Sequence, residues 1–214
     1  MIRETSSSPR VSHRARSGIA ACLVAGLAAF AASASANAEP MPGMRGIDHV
    51  GITVPDIGEA VKFFTEVIGC QTAMSFGPFR DDKGTFMKDL VNVDPRAVID
   101  TITLERCGNG SNIELFQYQA PDQATTIPKN SDIGGHHLAF YVDDIQASKA
   151  YFDKHGVRTL MGPVPISEGP AAGQTILYFF TPWGLQLEAI SYPEGMAYEK
   201  DAKTVLWSTR DPQK

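Results

Sequence analysis

Cysteine is scarce in this chain, with three among 214 residues. Cys22 lies in the leader described below, so only Cys70 and Cys107 are left, enough for a single intrachain bridge in an oxidising compartment. Positive charge is also in deficit, with 19 Lys and Arg against 24 Asp and Glu. That balance argues against nucleic acid or an anionic membrane surface as partner, and no basic stripe suggests a seat for a nucleotide phosphate. Low-complexity runs are missing. Beyond the leader, no apolar stretch is long enough to span a bilayer.

The first 38 residues read as a secretory signal peptide. Arg3, Arg10, Arg14 and Arg16 form a basic start, "GIAACLVAGLAAFAA" (18–32) an apolar centre, and "ANA" (36–38) a small-x-small cleavage pattern. The arginines are not paired as a twin-arginine signal requires, so ordinary export, to the periplasm, is expected. Removing 38 residues leaves 176 and shifts the formal charge from −5 to −8. That length suits one domain or two small fused modules.

The remaining chain repeats itself. "HVGITVPDIGEAVKFFTEVIG" (49–69) aligns with "HLAFYVDDIQASKAYFDKHG" (137–156), pairing His49 with His137, Asp56 with Asp144 and Phe64 with Phe152 at an offset of 88 residues. Each copy predicts a strand, an Asp N-cap, a helix with apolar residues at helical spacing, and a glycine stop. Further on, "NIELFQYQAP" (112–121) matches "LQLEAISYP" (185–193), pairing Glu114 with Glu188 and Tyr118 with Tyr192. Strands are also expected at 71–76, 98–105, 158–160 and 174–180, so each half reads β-α-β-β-β. The fold class is therefore α+β, built from two tandem βαβββ modules.

Alternate residues of a strand share a face. Val50, Ile52 and Val54 form the apolar set that packs on the helix, which turns His49, Gly51 and Thr53 the other way. Leu138, Phe140 and Val142 likewise turn His137, Ala139 and Tyr141 inward, and send His136 away from them. If each half curls into a cup, His49, Glu114, His137 and Glu188 face a common interior. Two imidazoles and two carboxylates suit one divalent ion, with open positions for water or substrate.

These residues resemble the vicinal oxygen chelate (VOC) superfamily of glyoxalase I, bleomycin and fosfomycin resistance proteins, extradiol dioxygenases and methylmalonyl-CoA epimerase. The matching segments are "IDHVGITVPDIGEAVKFF", "NIELFQY", "GGHHLAFYVDDI" and "PWGLQLEAI". The resemblance implies an open barrel around one metal site, with His49, Glu114, His137 and Glu188 as metal ligands. The ion would be Zn, Mn, Ni, Co or Fe. It also implies a domain over 39–194, with module one at 46–120, a linker at 119–135, module two at 136–194, and a C-terminal tail at 195–214.

In the glyoxalase and epimerase branches, a substrate with adjacent oxygens loses a proton beside its carbonyl, and a ligand glutamate can serve as the base. Glu114 and Glu188 are thus the catalytic candidates for an isomerase, epimerase or lyase. Extradiol ring cleavage is a second reading, though a fourth ligand at Glu114 would crowd an iron site of that type. A non-catalytic binding or resistance protein is a third, and it does not need four intact ligands. The epimerase branch usually has glutamine where this chain has Glu114, and it acts on coenzyme A thioesters, which are not expected outside the cytoplasm. The partner expected is therefore a small molecule. Nucleic acid is not expected, nor membrane once the signal is cleaved, and a homodimer is left open.

Two loops and two thiols complete the reading. "GPFRDDKGTFMKDLVNVDPRA" (77–97) reads as a lid-like loop that the second half lacks, with a plain solvated loop as the alternative, and 162–174 has the same ambiguity. Cys70 and Cys107 would meet if their strands are antiparallel neighbours, either as a disulfide or as two thiols. The tail is polar, with Trp207 as its one large apolar anchor.

Overall fold

A computed structural model describes residues 41–213, and the proposed leader (1–38) lies outside them. The first module runs β1 (His49–Thr53), α1 (Ile57–Lys62), β2 (Gln71–Phe76), α2 (Phe86–Val91), β3 (Val98–Arg106) and β4 (Asn112–Gln119). The second runs β5 (Leu138–Tyr141), α3 (Ile145–Lys154), β6 (Val164–Pro165), β7 (Thr175–Phe180) and β8 (Gln186–Ser191). Each module forms its own four-stranded sheet, in the orders β1-β4-β3-β2 and β5-β8-β7-β6. The first and last strands are parallel neighbours in both, β1 with β4 and β5 with β8. The two sheets do not close into a barrel.

The N-caps act as the sequence predicts. Asp56 accepts from the Glu59 amide at 2.8 Å, and Asp144 accepts from the Gln146 and Ala147 amides at 2.9 Å. After Lys62, α1 widens into a π-helical turn over Phe63–Ile68 and stops at Gly69, whose φ of 89° lies in the left-handed region. The widened turn leaves the adjacent Phe63 and Phe64 both buried.

Two expectations change. The stretch 158–160 bonds to β7 through Phe180 N–Arg158 O and Leu160 N–Tyr178 O, yet forms only an isolated bridge at Thr159, and the edge strand lies at Val164–Pro165. Gly162 (φ 133°) followed by Pro163 breaks the ladder between them, because proline brings no amide. The insertion 77–97 is not all loop: it contains α2, whose Met87 is fully buried against Ala97, Ile99 and Ile102.

One apolar core serves both sheets. Ile52, Val54, Phe64 and Leu115 of the first module join Phe152, Leu177, Phe179 and Leu187 of the second. Trp183, in the turn before β8, sits edge-on to Phe63 at 5.9 Å, and the Tyr151 hydroxyl donates to the Glu66 carbonyl at 3.3 Å. Helices α1 and α3 and this core occupy one side of the sheets, and the inward residues of β1 and β5 face the other.

Cys70 and Cys107 are joined by a disulfide, just outside the Gln71–Arg106 pair of β2 and β3. The bond closes a 37-residue separation, which in the chain-entropy account corresponds to about 4 kcal/mol. Glu105 is the conspicuous buried polar group on the core side of β3. It has no solvent exposure, accepts from Thr72 Oγ1 at 2.7 Å, and leaves Oε2 without a hydrogen-bond partner among the described residues. Burial pushes its carboxyl above the usual value of 4.5, partly countered by the Thr72 hydrogen bond.

A raised folded-state value means that the folded protein binds this proton more tightly than the unfolded chain, so stability falls as pH rises through the unfolded value. We expect Glu105→Gln to raise the melting temperature, and the gain over wild type to grow between pH 4 and pH 8; an equal or shrinking gain in thermal melts would refute the assignment. Cys70→Ser should lower stability by roughly 2–4 kcal/mol in denaturant titrations.

Candidate active site

The parallel pairing of first and last strands sets the site geometry. Gly51 lies opposite Glu114, and Ala139 opposite Glu188. His49, two residues earlier at the start of β1, and His137, two residues earlier and just ahead of β5, therefore each reach the glutamate of the neighbouring strand. His49 Nε2 lies 3.2 Å from Glu114 Oε2, and His137 Nε2 lies 2.9 Å from Glu188 Oε2. The same His–Glu pair thus forms twice, once per module. The glutamate side chains are the better covered partners, 17% and 8% exposed against 42% and 33% for their histidines.

The surroundings tune these groups differently. His49 Nδ1 bonds Asp48 Oδ1 at 2.8 Å, and this bond, together with the Glu114 charge, holds the imidazole pKa above its usual range despite some desolvation. With Nδ1 directed at Asp48, Nε2 is the nitrogen left to face Glu114. Burial raises the Glu188 carboxyl, opposed by its pairing with His137. The Tyr178 ring packs edge-on to His137 at 5.3 Å, and its phenol is pushed up by burial and by the Glu188 charge. His136, which stands where the first module has Asp48, is exposed and has Nδ1 3.1 Å from the Gly134 carbonyl.

The four expected ligands stand as two pairs. Among the described residues, no three His, Cys, Asp or Glu side chains gather into one set able to hold an ion. The donor chemistry nevertheless fits a divalent ion. Two ligands at right angles on an ion with bonds of about 2.1 Å lie about 3 Å apart, which is the separation within each pair.

The two inward faces are furnished unequally. In the first module α2 packs over Ile102, which lies opposite Phe116, and Phe116 stacks on Tyr118 at 5.5 Å. In the second, a cavity of about 470 Å³ opens along Ala139, Tyr141 and Ile190, with Gln174 and the tail residues Leu206 and Trp207 around it. The insertion, expected as a loop, carries α2, and the tail packs on the domain with Trp207 at the cavity, in keeping with its reading as an anchor. Met87, beside Phe86, and Trp207, after Val205 and Leu206, are the apolar residues by which these segments fold back. Arg80 of the insertion pairs with Asp82 at the surface at 3.4 Å.

Residues 48–178 match the family model of the Glyoxalase/Bleomycin resistance protein/Dioxygenase superfamily. The chain belongs to this superfamily. A "2-epi-5-epi-valiolone epimerase" from Actinomyces sp is 44% identical over 168 residues, covering 78% of this chain and 90% of that protein. The uncharacterised protein YaeR of Escherichia coli K12 is 26% identical over 149 residues, covering 69% and 97%. Among solved structures, a glyoxalase family protein from Bacillus cereus superposes with a TM-score of 0.56 at 19% identity, covering 71% of this chain and 98% of that one, a likeness of fold. The superfamily assignment and the epimerase relative together support an isomerase-type enzyme.

Within this VOC fold, Gly51 is fixed by its neighbours. A Cβ there would lie 3.3 Å from the Phe116 ring and 3.9 Å from Glu114 Oε2. The second module carries Ala139 and Ile190 at the matching places, a larger residue beside a smaller one. We expect Gly51→Ala to cost about 1 kcal/mol or more and Phe116→Ile to restore most of it, measured as a double-mutant cycle in urea. Additive costs would show that the two side chains do not meet.

Proposed function

We propose that the chain is a metal-dependent epimerase or isomerase that moves a proton at the carbon beside the carbonyl of a small hydroxyketone. The observation that carries this reading is the repeated His–Glu pair on the inward face of each sheet, in a chain 44% identical to an epimerase. The compound in that relative's name, 2-epi-5-epi-valiolone, has the ending of a hydroxylated ketone, and such a substrate offers adjacent oxygens. The carbon between hydroxyl and carbonyl is the acidic one, and returning its proton on the other face inverts the centre.

Glu188 is assigned the proton transfer. Its cross-strand neighbour Ala139 and the residue two places on, Ile190, line the open cavity. Glu114 faces the furnished half and serves mainly as a ligand. His49, Glu114, His137 and Glu188 would hold one divalent ion, which supplies Lewis-acid stabilisation of the negative charge that grows on the substrate oxygens. Asp48 holds the His49 ring in the orientation that turns Nε2 toward the shared face. The aromatic wall of Tyr178 shields His137 and Glu188 from bulk water, strengthening electrostatic contacts there.

Export belongs to the same reading, supported by the leader pattern and by the Cys70–Cys107 bond. The mature chain would begin near Glu39, as a mass measurement on periplasmic protein would register.

Two measurements test the chemistry. Metal analysis of the purified protein should return about one divalent ion per chain, and Asp48→Asn should weaken its affinity roughly ten- to a hundred-fold; a metal-free yet active protein would overturn the metal assignment. In deuterated water, wild type should exchange the proton beside the carbonyl of 2-epi-5-epi-valiolone. Glu188→Gln should slow that exchange by a factor of about 100 or more, and Glu114→Gln by less. The reverse order would move the proton carrier to Glu114.

A further inference from the structure

The segment after β8 lies beyond the family match at 48–178 and is held down with more contacts than a loose tail needs. Ala197–Lys200 forms a 3₁₀ turn whose Ala197 and Tyr198 amides bond the Ala172 and Pro170 carbonyls at 2.8 and 2.9 Å. Arg210 Nη1 donates to the Tyr192 carbonyl at 2.8 Å, its Nη2 reaches Glu199 Oε2 at 3.3 Å, and its guanidinium sits over the Tyr192 ring at 5.4 Å. The Tyr192 and Ser208 hydroxyls bond each other at 2.9 Å, and the Leu206 amide donates to the Tyr198 hydroxyl at 3.0 Å. Between these anchors stands Trp207. It lines the 470 Å³ cavity beside Ala139 and Tyr141, and also a space of about 570 Å³ where β1 and β5 approach. Although anchored on both sides, Trp207 is 54% exposed.

A large indole held half-open beside a cavity presents an apolar face to whatever enters it. We propose that Trp207 is a substrate-contacting, specificity-determining residue, and that the 195–213 segment is a strap that Arg210 latches across the second module. The occupant is the small hydroxyketone of the proposed function, on which this inference rests. Its C–H face would lie on the indole, while Gln174 and the Tyr141 and Tyr192 hydroxyls offer hydrogen bonds around it. Charged side chains are absent from the lining of this cavity among the described residues, which suits a neutral ligand. Arg210, within the strap, bonds Tyr192 and Glu199 and does not line that cavity, so it is a positioning residue.

The test uses the full mature protein with 2-epi-5-epi-valiolone as probe and two readouts, tryptophan fluorescence for binding and deuterium exchange for turnover. The chain has two tryptophans, and Trp183 packs against Phe63 in the core, so a change caused by the probe at the cavity should come from Trp207. Probe binding should alter the emission of wild type and leave that of Trp207→Phe unchanged. Trp207→Ala should raise KM about five- to ten-fold, with a smaller fall in kcat, and Trp207→Phe should restore most of the affinity. Arg210→Ala should also raise KM and shrink the fluorescence response, with Arg210→Lys in between. Circular dichroism controls for folding of each variant. Emission that responds in wild type without any exchange would retire the proposed reaction and keep the assignment of Trp207. Emission that does not respond, or a KM unchanged in Trp207→Ala, would overturn the strap whatever the turnover.

Discussion

The apolar core shared by the two sheets is the constraint on which the site depends. Neither module buries its helix face alone: Phe63 of the first is closed by Trp183 of the second, and Phe152 and Phe179 join the same cluster as Phe64 and Leu115. With apolar side chains committed to that side, the period of two along each strand leaves the histidines and glutamates no option but the opposite face. The chemistry is thus placed by what is hidden behind it. A single-residue slip in β1 would turn Ile52 out of the core and His49 into it, so hydrophobic burial also guards the position of that histidine.

Much of this was legible in the sequence because it is written twice. The alignment of 49–69 with 137–156, and of Glu114 with Glu188, yields the β-α-β-β-β order and separates His137 from its neighbour His136. The parallel pairing of β1 with β4, which brings each histidine to its glutamate, belongs to long-range topology that spacing along the chain does not encode. The differences lie in an inserted segment and at a sheet edge. Helix α2 is short, and its rationale is tertiary, with Met87 seeking the apolar surface of Ile99 and Ile102. The edge strand moved from 158–160 to Val164–Pro165 because a Gly-Pro step interrupts a stretch whose residues otherwise suit β structure. Glu105 gave no signal at all, since a glutamate in a strand is ordinarily turned to solvent.

Duplication gives two sites in one, and the two have diverged in support rather than in donors. Asp48 orients His49, while the matching His136 lies exposed beside Gly134. Glu188 is more deeply covered than Glu114. One half is roofed by a helix inserted inside the module, and the other by chain added after it. Both devices leave the strands themselves untouched, which is how a fold with fixed pairing can acquire different walls.

The pairing of Gly51 with Phe116 in one half, and Ala139 with Ile190 in the other, has a stereochemical consequence. Two identical halves related by a two-fold axis would present the same surroundings to either face of a ligand, and a molecule could enter flipped. A reaction that inverts one centre among several then loses its sense of direction. Filling one half with an aromatic ring and leaving space in the other destroys that equivalence without moving a single donor. Handedness in such a site comes from unequal bulk, and the smallest side chain in the sequence is what makes room for it.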